Sequence, residues 1–100
     1  MKVENITSSR GNKVANQFVI RDREKGQCGW TTICFQSYDS IIVRKRWKPG
    51  YKSWTIELDR NKWDYSKTTG KYRNLFLGET KSETQKKIDS GEYILTDLNS

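Results

Sequence analysis

Apolar residues alternate with polar ones through the first half of the chain and recur at helical spacing only in the second half. From Val14 to Asp22 the alternation sets Val14, Asn16, Phe18 and Ile20 on one side and Ala15, Gln17, Val19 and Arg21 on the other, the period of a strand. Trp30 to Ser37 repeats the pattern, with Ile33 and Phe35 opposed to Trp30, Thr32 and Cys34. Glycines between Arg23 and Gly29 predict a hairpin loop joining these runs. Lys2 to Thr7 is a short candidate strand ahead of the loop Ser8 to Asn12, and Tyr38-Asp39-Ser40 predicts a tight turn or a bulge.

Ile41 to Trp47 and Lys52 to Leu58 form the clearest hairpin. Pro49 and Gly50 suit the two central positions of a type II turn, because proline presets a negative φ and glycine accepts a positive one. Two-residue hairpins prefer the mirror-image turns, which leaves a longer loop open. A tight turn sets Ile41 against Leu58, Val43 against Ile56, Lys45 against Trp54 and Trp47 against Lys52. That face is apolar at its base and cationic-aromatic at its tip. The other face pairs Ile42 with Glu57, Arg44 with Thr55 and Arg46 with Ser53.

Past Asp59 the period changes. Asp64 to Thr69 is rich in residues that cap helix starts, and Tyr72, Leu75 and Phe76 then share one helical face. Gly78 suits the left-handed position after a helix. Thr80-Lys81-Ser82-Glu83 has the form of a capping box, which predicts a second helix from Lys81 to about Ser90, stopped by Gly91. Tyr93-Ile94-Leu95 suits a last edge strand or a segment under the sheet. These elements predict one α+β domain over residues 1–100: a β-rich part (1–59), a helical part (64–91) and a short C-terminal segment (92–100). The expected architecture is an antiparallel meander of four to five strands, curled into an open half-barrel and followed by two short helices. Its expected core is Val14, Phe18, Ile20, Ile33, Phe35, Ile41, Val43, Ile56, Leu58, Tyr72, Leu75 and Phe76.

Composition narrows the chemistry. Only 33% of residues are hydrophobic, so the core is thin and leans on the 12% that are aromatic. The net charge of +7 selects anionic partners: nucleic acid, an acidic protein or an anionic surface. No apolar run approaches the length of a membrane span, and Met1 to Arg10 lacks a signal-like apolar stretch, so a cytoplasmic location is expected. There is no histidine, which removes Ser-His and Cys-His nucleophilic catalysis. Asp22, Glu24, Asp39, Glu57, Asp59 and Asp64 follow no metal-binding spacing and are better explained as turn acids and ion partners. Cys28 and Cys34 are too few for zinc, and on one strand they stand roughly 20 Å apart, beyond disulfide reach. No catalytic residue, metal or cofactor is expected.

The segment Arg44 to Trp54 stands out against this background. Arg44, Lys45, Arg46, Lys48 and Lys52 interleave with Trp47, Tyr51 and Trp54 around the turn. Cations hold backbone phosphates and ring faces stack bases, so this mixture suits DNA or RNA, single strands especially. A plain solvated hairpin uses the same residues differently: cations guard an edge and rings cover core or meet Lys45 and Lys52. A secondary candidate is the helix start carrying Ser66, Lys67, Thr68, Thr69 and Lys71, whose hydroxyls, amides and charge suit a phosphate. Helix capping alone also explains those hydroxyls.

Three stretches belong together by resemblance: Gly11-Asn12-Lys13-Val14-Ala15-Asn16-Gln17-Phe18, Phe35-Gln36-Ser37-Tyr38-Asp39-Ser40-Ile41-Ile42, and Trp63-Asp64-Tyr65-Ser66-Lys67-Thr68-Thr69-Gly70-Lys71-Tyr72 with Phe76-Leu77. They resemble a family of small proteins of tailed bacteriophages and prophages classed as a domain of unknown function. The resemblance implies a phage-like origin and a compact cytoplasmic domain, and it supplies no catalytic residues. The charge and the basic-aromatic hairpin, rather than the resemblance, give the expected function: a non-catalytic nucleic-acid-binding protein acting through that hairpin. The alternative is an inhibitor, anti-CRISPR-like, that docks on an acidic or nucleic-acid-bound host protein such as a defence nuclease.

Overall fold

The computed structural model describes residues 1–23 and 29–99. The order of elements is β1 (Lys2–Thr7), β2 (Lys13–Arg23), β3 (Thr31–Ser37), β4 (Ser40–Trp47), β5 (Thr55–Asp59), α1 (Lys67–Leu77), α2 (Lys81–Asp89) and β6 (Tyr93–Thr96). The strands form one six-stranded sheet in chain order. β1 to β5 are an antiparallel meander, and β6 returns after the two helices to pair parallel with β5. The architecture is α+β as expected, with one strand more than the meander alone. The β2–β3 connection and Cys28 lie mostly or wholly outside the described residues.

Both helices lie on one face of the sheet. Phe76 of α1 stacks on Phe35 at 5.8 Å, and Trp63, Tyr72, Leu77 and Ile88 pack on the same cluster of Ile6, Phe35, Ile42, Val43, Leu58 and Tyr93. The other face, carrying Ile20, Cys34, Arg44 and Glu57 in one row across β2 to β5, has no helix against it among the described residues.

The core departs from the expected one at β2. Gln17 and Val19 point to the helices, opposite Ser37 and Phe35, while Phe18 and Ile20 take the open face. Both faces of β2 carry apolar residues, so alternation alone does not choose between them. The choice is made at Asn16, whose φ of +64° kinks the strand and whose carbonyl accepts from Tyr38 N–H at 2.7 Å. A bulge in β4 does the same for Ile42. Phe35 faces Val43 and Gln36 faces Ile41, leaving Ile42 as the extra residue, and Ile42 and Val43 are both buried. Leu75, expected inside, is 55% exposed, whereas Tyr93 enters the core because parallel pairing places it beside Ile56.

The helix ends follow local rules. Ser66 caps α1 by accepting from Thr69 N–H, and Gly78 closes it at φ +70°. Thr80 and Glu83 complete a reciprocal capping box on α2. A buried ionic latch then ties α2 to β6. Glu79 accepts from the Tyr93 hydroxyl at 2.6 Å and from Thr84 at 3.1 Å, and pairs with Lys87 at 2.8 Å. Burial pushes the Glu79 carboxyl up, but these hydrogen bonds outweigh it and hold it below its usual range. Burial and Glu79 together push Tyr93 up to about 12.

Candidate nucleic-acid interface

The Pro-Gly turn forms as expected. Tyr51 N–H bonds to Lys48 C=O at 3.1 Å across Pro49 and Gly50, and Gly50 has φ +96°. The strands do not pair directly around it. Arg44 faces Glu57, Lys45 faces Ile56 and Arg46 faces Thr55, two residues away from the tight register. A two-residue slip keeps every side chain on its face, so the alternation is blind to it. What it changes is the partners. Arg44 reaches Glu57 through both Nε and Nη2, at 3.0 and 3.1 Å, and Arg46 joins the same carboxylate at 3.4 Å. The fork of two parallel hydrogen bonds favours this register over the tight one.

Two aromatic layers result. On the side of Lys45, Trp47 lies against Trp54 at 6.4 Å, and the Trp47 indole N–H donates to Tyr51 C=O at 2.9 Å. On the open sheet face, Tyr51 meets Trp30 edge-on at 5.3 Å, with Lys48 within 5.1 Å of both rings and Arg46 5.0 Å from Trp30. Tyr51 and Trp54 remain about two-fifths exposed, at 41% and 40%. Lys48 and Lys52 have no carboxylate partner among the described residues. Lys45 takes a different role from its neighbours: it turns under the helices, half-buried, 4.8 Å from the Phe76 ring. Burial, then Arg21, lowers its ammonium below the usual lysine range.

The structure thus brings Arg46, Lys48, Trp47, Tyr51, Lys52 and Trp54 to one end of the sheet, leaves Arg44 mid-strand between Cys34 and Glu57, and sets Lys45 aside. It adds Trp30, which the sequence reading placed on β3 without linking it to the hairpin. The signal was present in the alternation: Trp30 shares a strand face with Thr32 and Cys34, the face of Arg46 and Arg44.

The second candidate divides in two. Thr69 is fully buried, its hydroxyl bonded to Ser37 at 2.9 Å, so it holds the helix to β3 and is closed to a ligand. Ser66 lines an open groove with Lys67 and Lys71, and there the structure adds Asp64, Gly70, Arg73, Asn74 and Lys81. Thr68 is exposed on α1. Because Thr69 anchors at the Ser37 end of β3 and Trp47 pairs with Thr31 at the other, the groove and the hairpin tip stand roughly 20 Å apart along the sheet.

These features define a small α+β domain with a cationic-aromatic tip on an open six-stranded sheet and a separate basic groove at its helical end. Residues 1–92 match a family of unknown function, DUF8033, and the chain belongs to that family. No curated protein and no solved structure matches it. No helix among the described residues is long and apolar enough to cross a membrane.

Proposed function

We propose that this protein binds single-stranded nucleic acid through the tip of the β4–β5 hairpin, by stacking and charge and without catalysis. The observation that carries the proposal is the pair of part-exposed rings, Tyr51 and Trp54, each braced by a second ring and flanked by Lys48 and Lys52. A braced ring has little rotamer freedom to lose on binding, so more of the stacking energy remains as affinity. Stacking contributes about 1–3 kcal/mol per base and accepts any base, which makes the binding tolerant of sequence. Arg44 and Arg46 extend the cationic track onto the open sheet face, softened there by Glu57. Lys48 and Lys52 meet the phosphates beyond it.

Intrinsic tryptophan fluorescence tests this directly, since stacking on a base quenches an indole. A short single-stranded oligonucleotide should quench the wild type at low salt, and Trp47→Phe with Trp54→Phe should remove most of the response. Unchanged emission with both single- and double-stranded oligonucleotides at low salt would sink the proposal.

A further inference from the structure

The groove at the start of α1 lies apart from the hairpin tip and shares no lining residue with it. It has a volume of about 500 Å³ and is lined by Lys67, Lys71, Arg73 and Lys81, with Asp64 as its one carboxylate. Three physical observations make it more than a solvated surface.

First, α1 starts with the wrong charges. Lys67 is the first residue of the helix and Lys71 lies one turn on, and there is no acid in the first turn. Cations there oppose the positive end of the helix dipole, a placement that costs stability unless an anion offsets it. Second, the one nearby acid is already engaged. Asp64 pairs with Lys81 at 2.7 Å and with Arg73 at 3.4 Å, leaving Lys67 and Lys71 without a carboxylate partner among the described residues. Third, Arg73 is 1% exposed, yet its Nε has no hydrogen-bond partner, while its other nitrogens bond Trp63 C=O, Asp64 and Asn74. A buried guanidinium donor without a partner is costly, and this one belongs to a residue lining the groove.

We propose that this groove binds a phosphoryl group. Lys67 and Lys71 would supply the long-range attraction, Ser66 and Asn74 the neutral contacts, and Arg73 a fixed charge at the floor. A phosphate dianion answers the first two observations directly, since it is favoured at a helix start and balances the excess of cations there, while the buried Arg73 guanidinium attracts it through its charge from beneath. The phosphoryl group has two sources, a free phosphate ester or the terminal phosphate of a bound strand. The site's chemistry is the same for both.

The test is a two-dimensional amide and arginine Nε NMR titration at constant ionic strength, first with inorganic phosphate. Saturable shifts confined to Ser66–Lys71, Arg73 Nε and Lys81 are expected, with affinity at least tenfold weaker in Lys67→Gln/Lys71→Gln. Both lysines are exposed, so this variant keeps the fold, which the rest of its spectrum verifies. A second arm compares one oligonucleotide with and without a 5′-phosphate. Preference for the phosphorylated strand assigns the strand-end source, and equal behaviour beside saturation by inorganic phosphate assigns the free ester. Shifts that rise linearly without saturation in both arms, or that survive in the double variant, overturn the site. None of these outcomes depends on the hairpin, so failure here leaves the proposal for the tip standing.

Discussion

The hairpin tip and the α1 groove both concentrate positive charge, but they are built in opposite ways. At the tip, cations and rings alternate and the rings remain part-exposed, with Tyr51 and Trp54 outermost. In the groove the aromatic partner is turned inward: Trp63 packs on the core while Arg73 stacks over it at 5.1 Å. The tip therefore offers π-faces together with charge, and the groove offers charge alone. A base needs the first arrangement and a phosphate needs only the second. The difference also separates function from stability. The tip touches little of the core, whereas Thr69 and Arg73 hold α1 against the sheet and the preceding loop.

The comparison breaks most visibly in binding. Tyr51→Ala with Trp54→Ala should cost about 2–6 kcal/mol of single-strand affinity, thirtyfold or more, by removing both part-exposed stacking platforms. Lys67→Gln/Lys71→Gln should leave internal-strand affinity within about threefold, since phosphate contacts alone are screened by salt. Fluorescence anisotropy with an oligonucleotide lacking terminal phosphates measures both. In stability the order reverses. Arg73→Met should lose about 3 kcal/mol in urea unfolding, because the Trp63 carbonyl is orphaned and buried packing is lost. Arg46→Met should lose under about 1 kcal/mol, as a part-exposed ion pair contributes little.

Glu57→Gln sharpens the contrast at the tip itself. It should cost about 1–2 kcal/mol of stability through the lost Arg44 fork. It should also raise nucleic-acid affinity by releasing two cations, and a variant that binds more weakly would contradict the track along Arg44 and Arg46. Gly70→Ala tests the groove end more gently. A Cβ there would sit 3.7 Å from the Arg73 guanidinium, ordinary contact, so the better helix former should gain up to about 1 kcal/mol in thermal unfolding. Acid should loosen the C-terminal latch. Glu79 has a folded pKa below its usual 4.5, so its contribution is complete above that value and is lost as pH falls through the folded pKa. Hydrogen exchange of α2 and β6 should rise over that window, and Glu79→Gln should remove the dependence.

The features legible in the sequence were the ones set by neighbours along the chain. The Lys48–Tyr51 turn, the Thr80–Glu83 capping box and the Gly78 terminus are chemistry within a few residues, and all three formed. What the sequence hid was set across the chain. The β4–β5 register depends on an Arg44–Glu57 fork that alternation cannot see, because a two-residue slip leaves both faces unchanged. The facing of β2 depends on one left-handed residue, Asn16, and the burial of Tyr93 on a strand that returns across two helices. For the hairpin site the residue types were readable, while the placement of Lys45 under Phe76 and the arrival of Trp30 beside Lys48 were not. In the groove, the cations of α1 were visible, whereas Lys81 comes in from the start of the next helix through its ion pair with Asp64.

The most direct measurement is the salt dependence of single-strand binding by anisotropy, for wild type and for Tyr51→Ala/Trp54→Ala. Binding through the tip predicts a log–log slope of about −2 to −3, since each phosphate neutralised contributes about 0.7. In the double variant the slope should hold while affinity falls at least thirtyfold. No binding at low salt, or a variant that binds as tightly as the wild type, would contradict a function carried by the Arg44–Trp54 hairpin.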